Sequence, residues 1–130
     1  MIVDSSAMSA IILHEPDREA FRNSIMTSET APLMSAANYL ETGIVVDGKR
    51  NPKTSRQLDA LIEQLEIELV AVTPAHAHIA RQAYRDFGKG SGHPAQLNFG
   101  DCFAYALASD LNQPLLFKGN DFVHTDIVAA

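Results

Sequence analysis

The chain has 130 residues, 46% of them apolar and 20% charged, and a formal net charge of −6 from 16 acids and 10 bases. That composition is globular rather than disordered. The length suits one domain over residues 1–130 with no need of a disulfide or structural metal, and no apolar run approaches the ~18 residues of a membrane span.

The acidic balance argues against non-specific nucleic-acid binding, an argument that weakens where several acids gather at one metal site. The first basic residue is Arg18, so the basic n-region of a secretory signal is missing. Cys102 is the only cysteine, which excludes an internal disulfide and a zinc–cysteine site. A cytoplasmic, reducing compartment is the expectation.

Met1-Ile2-Val3 is a short apolar run that ends at Asp4, with Ser5 or Ser6 expected to cap a helix to about Leu13. Pro16 opens a second helix reaching Ser28. Pro32 to Ser35 reads as a buried strand, followed by a long helix from Ala36 to about Arg50. After Asn51-Pro52, a helix from Thr54 to Glu66 carries Leu58, Leu61, Ile62 and Leu65 at helical spacing. Leu69 to Val72 is the next strand, and Thr73-Pro74 caps a helix running to about Phe87. Gly88, Gly90, Gly92 and Pro94 mark a loop. A helix from Asn98 to Leu111, a strand from Pro114 to Phe117, a turn at 118–121 and a last short strand at Ile127 to Ala129 complete the chain. Short apolar strands separated by helices imply an α/β fold with a mostly parallel sheet covered on both faces.

In open α/β sheets the chemistry lies outside the carboxyl ends of the strands. Asp4 ends the first strand, Glu41 lies two turns into the helix after Ser35, Asp101 sits in the first turn of the helix after the glycine loop, and Asp121 follows Phe117. Helical geometry puts Ala37, Ile44, Val45 and Gly48 within about 60° of Glu41, so its carboxylate is expected on an inward stripe. Leu97, Ala104, Tyr105 and Ala108 share the side of Asp101. Four ionised carboxylates brought together repel, and a hard cation relieves that. All-oxygen ligation suits Mg²⁺ or Mn²⁺ rather than zinc, and such a site serves phosphoryl chemistry.

Val3-Asp4-Ser5-Ser6-Ala7, Asn38-Tyr39-Leu40-Glu41-Thr42, Leu97-Asn98-Phe99-Gly100-Asp101-Cys102-Phe103 and Pro114-Leu115-Leu116-Phe117-Lys118-Gly119-Asn120-Asp121-Phe122 resemble the PIN-domain ribonucleases, most of all the VapC toxins of type II toxin–antitoxin pairs. The likeness runs through the whole chain in order. It implies a three-layer α/β/α sandwich and a Mg²⁺- or Mn²⁺-dependent endoribonuclease that leaves a 5′-phosphate. It also implies a tRNA or rRNA substrate, a homodimer and neutralisation by a VapB-type antitoxin. By position, Asp4 and Asp101 are the expected primary metal ligands, with Glu41 and Asp121 as the remaining acids. Ser6 and Asn120 take supporting places.

Blander roles compete for the same residues. Asp4 suits a helix cap, Asp101 a helix N-terminus, Glu41 an ion pair at a subunit interface, and Asp121 a Gly-Asn-Asp turn. His76 and His78 lie roughly 200° apart on one helix and are expected at the surface. Cys102 reads as packing rather than nucleophile. Lys49, Arg50, Lys53 and Arg56 form a basic cluster, and Arg81, Arg85 and Lys89 an i, i+4, i+8 stripe. A solvated face is the bland reading of both. The stripe, with Lys118, is carried forward as an RNA contact. The helix around Tyr39 and Val46 is apolar nearly all round, which suggests a homodimer cover. A haloacid-dehalogenase-type Asp-X-Asp is missing at Asp4-Ser5-Ser6, and Thr73-Pro74 follows the strand where a receiver would carry its acceptor aspartate. The remaining alternative is a non-catalytic PIN-like scaffold that binds a peptide or RNA.

Overall fold

Alternation along very short strands decides this architecture, because successive side chains leave a strand on opposite faces. The computed structural model describes all 130 residues. Its elements are β1 (Ile2–Val3), α1 (Ser5–Ile12), α2 (Arg18–Met26), β2 (Leu33–Ser35), α3 (Ala36–Asp47), α4 (Pro52–Gln64), β3 (Glu68–Val70), α5 (Pro74–Phe87), α6 (Phe99–Leu111) and β4 (Leu115–Leu116). The sheet order is β3-β2-β1-β4, and every pairing is parallel. Val3, Met34 and Leu116 face one core, shared with α1, α2, α3 and α4. Ile2, Leu33 and Leu115 face the other, shared with α5 and α6. The result is the expected three-layer α/β/α sandwich.

Parallel strands put all their carboxyl ends at one edge. From β1 the chain moves to β2 and β3 on one side, and β4 then adds on the other. The order therefore reverses between β1 and β4, which is where open α/β sheets bind ligands.

Beyond shifted element ends, the structure departs from the sequence expectations in several places. The expected last strand at Ile127 to Ala129 shrinks to one bridge between Leu115 and Ala129, with Leu115 N–H donating to the Val128 carbonyl at 2.9 Å. The first helix is capped by Asp4, not by Ser5 or Ser6. The α3 stripe that faces the core is Asn38, Thr42 and Val46, whereas Ile44 and Val45 are 65% and 42% exposed. Glu41 is thus half-buried at the margin of that stripe rather than on an apolar one. His76 is buried: its Nδ1 accepts from Thr73 N–H in a capping box, and its Nε2 meets Asp110 Oδ2 at 2.9 Å, tying the start of α5 to the end of α6. His78 is exposed, as expected.

Ile2, fully buried at the centre of the sheet, is the sensitive position. Ile2→Ala is expected to cost about 2–5 kcal/mol in urea unfolding, and Met26→Ala, exposed at the end of α2, no more than about 0.5 kcal/mol.

Candidate active site

Asp4 enters the site because β1 ends there and α1 begins at once. Its backbone is extended, with φ −81° and ψ 157°, and Oδ2 accepts the Ser6 N–H at 3.0 Å. Ser6 Oγ donates to the same oxygen at 2.5 Å and accepts from Lys118 N–H at 2.9 Å. Asp4 N–H in turn donates to the Leu116 carbonyl at 2.9 Å. These bonds lock the ends of β1 and β4 together. Asp4 is only 2% exposed, yet its Oδ1 has no hydrogen-bond partner. Burial raises its pKa, the Ser6 hydrogen bonds oppose the rise, and the Glu41 charge adds to it.

Asp101 is the third residue of α6. Asn98 Oδ1 accepts its N–H at 2.9 Å, and Asn98 N–H donates to Asp101 Oδ2 at 2.8 Å, closing a capping box. Leu97, Ala104, Tyr105 and Ala108 are all buried, as the spacing predicts. Burial pushes the Asp101 carboxyl up to about 7; the Asn98 bond opposes this, and the charges of Asp4, Asp121 and Glu41 reinforce it. All four acids therefore act on one electrostatic neighbourhood, although no three of them form a closed metal cage.

Glu41 is held by a residue that the motif quoted but to which no role was given. Asn38 is fully buried, and its Nδ2 donates to Glu41 Oε2 at 3.1 Å and to the Gly100 carbonyl at 3.0 Å. A Cβ on Gly100 would collide with the Glu41 carboxylate. The sequence signal was the pairing of Asn-X-X-Glu on one helix with a glycine beside Asp101 on another. Asp121 and Asn120 are exposed in the turn after β4.

The expected RNA contacts divide. Lys118 has its ammonium paired with Glu15 and with Asp17, the latter at 3.0 Å. Two carboxylates at the α1–α2 connection thus share its charge, so it is not a free cation as the sequence suggests. Arg81, Arg85 and Lys89 are exposed and line a groove between α5 and α6 together with Asn98 and Cys102. Cys102 is buried, its thiol pushed up to about 11 by burial and by Asp101, so it packs and does not act as a nucleophile at neutral pH.

The raised Asp101 value fixes the sign of a pH effect on the metal-free protein. Its folded-state pKa of about 7 lies above the ordinary 3.8, so between those values the folded state holds a proton that the unfolded state has lost. Stability then falls as pH rises through that window. The thermal midpoint of metal-free protein is expected to drop from pH 5 toward pH 7.5, and Asp101→Asn to flatten that drop.

Comparison with known proteins identifies the family. A family model described as the PIN domain matches residues 1–128. Ribonuclease VapC28 of Mycobacterium tuberculosis is 54% identical over 130 residues, covering 100% of this chain and 97% of its own. Ribonuclease VapC42 of the same species is 45% identical over 127 residues, covering 98% and 96%. The crystal structure of M. tuberculosis VapC20, described as a sarcin–ricin loop cleaving toxin, superposes with a TM-score of 0.77 over 99% of this chain and 97% of that one; at 14% identity this is a likeness of fold. With a domain match running nearly end to end and full-length relatives at half identity, the chain belongs to the PIN-domain family, among its VapC ribonucleases.

Proposed function

We propose that this chain is a single-domain, divalent-metal-dependent endoribonuclease, the toxin of a type II toxin–antitoxin pair, cutting tRNA or rRNA to leave a 5′-phosphate. One observation carries the metal assignment. Asp4 Oδ1 is buried without a partner, in a neighbourhood where Asp101 feels the charges of Asp4, Asp121 and Glu41. An unpaired buried carboxylate oxygen is costly unless it is ligated, and a donor set of oxygens alone fits Mg²⁺ or Mn²⁺.

Asp4 and Asp101 are the proposed direct ligands, with Glu41 and Asp121 binding directly or through water. When bound, the ion supplies acidity to water and neutralises charge on the phosphoryl group. The chain's own part is positional. Ser6 and the α1 amide hold Asp4 Oδ2, which leaves Oδ1 free to ligate. Asn38 holds Glu41 against the start of α6. Lys118 is engaged with Glu15 and Asp17, so a carboxylate rather than a lysine orients the attacking water. Ser6 supports Asp4, and Asn120 supports the Asp121 turn. No observation favours a non-catalytic scaffold, because every acid of the motif set is present.

The proposed partners are a VapB-type antitoxin and a second copy of the chain. Leu40 and Ile44, 62% and 65% exposed on α3, support the homodimer. The proposed compartment is the cytoplasm, supported by a lone buried cysteine and by the absence of any helix long and apolar enough to cross a membrane.

The test is cleavage of a labelled tRNA and rRNA panel, first with EDTA and then with Mg²⁺ or Mn²⁺ restored. Cleavage is expected only with metal, and Asp4→Ala or Asp101→Asn should lower it about a hundredfold or more. Metal-independent cutting, or full activity in Asp101→Asn, would sink the proposal. Gly100→Ala is expected to displace the Glu41 carboxylate and to cost about ten- to a hundredfold in rate while the fold survives, read as activity alongside circular dichroism.

A further inference from the structure

We propose that the groove between α5 and α6 seats the single-stranded RNA flank that leads into the acid site, with a base stacked on Phe99 and the backbone phosphates on Arg81, Arg85 and Lys89. The proposal rests on the nuclease reading and adds the surface that holds the substrate.

The groove has a volume of about 880 Å³, at the upper end of the range for small-molecule sites. One wall is α5, where Arg81 and Arg85 are one helical turn apart, with Lys89 just beyond. All three are exposed, and none belongs to any of the chain's ion pairs. The other wall is the first turn of α6. There Phe99 is 80% exposed, an outlay of apolar surface that the fold does not need. Phe103 braces it edge-to-face, with ring centroids 4.9 Å apart at 87°, so the ring is held as a fixed platform rather than left to rotate freely. Tyr84 lines the groove from α5.

The groove adjoins the site through one residue. Asn98 lines it, and the same residue's N–H holds Asp101 Oδ2 at 2.8 Å. A strand lying in the groove would thus pass within one residue's reach of Asp101.

Charge selects the occupant. In a chain of net charge −6, three unpaired cations on one rim fit a polyanion. An exposed aromatic on the facing wall fits a base, since stacking accepts any base face. A duplex hides its base faces, so single-stranded RNA is the form that this surface takes.

The experiment uses the full chain with Asp101→Asn, so that RNA stays uncut, and a fluorescein-labelled single-stranded RNA of about a dozen nucleotides. Affinity is read by anisotropy across a salt series. Adding Phe99→Ala should weaken binding about tenfold and leave the salt slope unchanged. Adding Phe99→Trp should restore the affinity. Arg81→Ala with Arg85→Ala should weaken binding and lower the magnitude of the salt slope by about 1.4. Lys53→Ala with Arg56→Ala removes the same charge far from the groove and should change the slope little. In the active chain, the groove variants should raise KM for RNA with kcat held.

The proposal falls if Phe99→Ala binds as tightly as its parent, or if the two arginine substitutions act no differently from the Lys53–Arg56 control. It also falls if Phe99→Ala breaks an oligomer in light scattering while RNA affinity stands, since the groove would then be a protein interface. Failure of the nuclease reading looks different: the wild-type chain would leave every RNA intact, whatever the groove binds.

Discussion

A carboxylate buried to 2% exposure at the end of the central strand is an expensive thing for a small fold to hold, because burial opposes its charge. The surroundings of Asp4 answer part of that cost and no more. Ser6 gives Oδ2 both its amide and its hydroxyl, and the hydroxyl is in turn fixed by the amide of Lys118, just past β4. One side chain thus joins β1, α1 and the segment that carries Asp121. The cap would work as well with Ser or Asn, which cap helices comparably and bring no buried charge. The extra oxygen of Asp4 does nothing for the fold. It is the negative charge, and not the cap, that needs an explanation, and the neighbouring acids provide one.

The same division of labour recurs at Asp101. Oδ2 closes a capping box with Asn98, while the rest of the group feels three other carboxylates. Glu41 reaches this neighbourhood only because α3 and α6 approach closely at Gly100, where a side chain would strike its carboxylate. Asn38 spans that contact, bonding to Glu41 and to the Gly100 carbonyl together. At Asp4, Glu41 and Asp101 a structural bond holds one carboxylate oxygen and leaves the other free of it. These three like charges are kept together because backbone or amide donors pin each of them against mutual repulsion, while Asp121 stays exposed.

Much of this was legible in the sequence, and the exceptions share a cause. Strand-end placement puts Asp4 and Asp121 just past β1 and β4 and Glu41 on the helix that leaves β2, because in a parallel sheet the carboxyl ends fall on one side; Asp101 follows no strand and is read from the helix after the glycine loop. Thr73-Pro74 announced its helix start through cap chemistry alone. The stripe on α3 misled because apolar periodicity assumes that helices bury their apolar residues. Here Asn38 and Thr42 are buried instead: Thr42 Oγ1 donates to the Asn38 carbonyl at 2.8 Å and Asn38 Nδ2 donates to Glu41 and to α6, while Asn38 Oδ1 has no partner. Ile44 is left outside. His76 misled for the same reason: its burial depends on Asp110, 34 residues away. Lys118 lost its free charge to Glu15 and Asp17. In each case a long-range polar partner decided the outcome, and no local pattern encodes such a partner.

Net charge misled in a different way. At physiological ionic strength, fields fade over about 8 Å, so a phosphate responds to the side chains beside it and not to the total. The acids of this chain are unevenly spread. Glu41, Asp101, Asp4 and Asp121 act on one another at the sheet edge, where a bound divalent cation would change the local sign. Others, such as Asp59, Glu63 and Glu66, are exposed at α4 and just beyond it, on the face of the sheet away from α5 and α6. Arg81, Arg85 and Lys89 border the remaining approach, beside Asn98 and the start of α6. A polyanion arriving from that side would meet cations first and the clustered acids second. The formal charge of −6 therefore does not by itself oppose RNA binding: it sums largely over faces away from this approach.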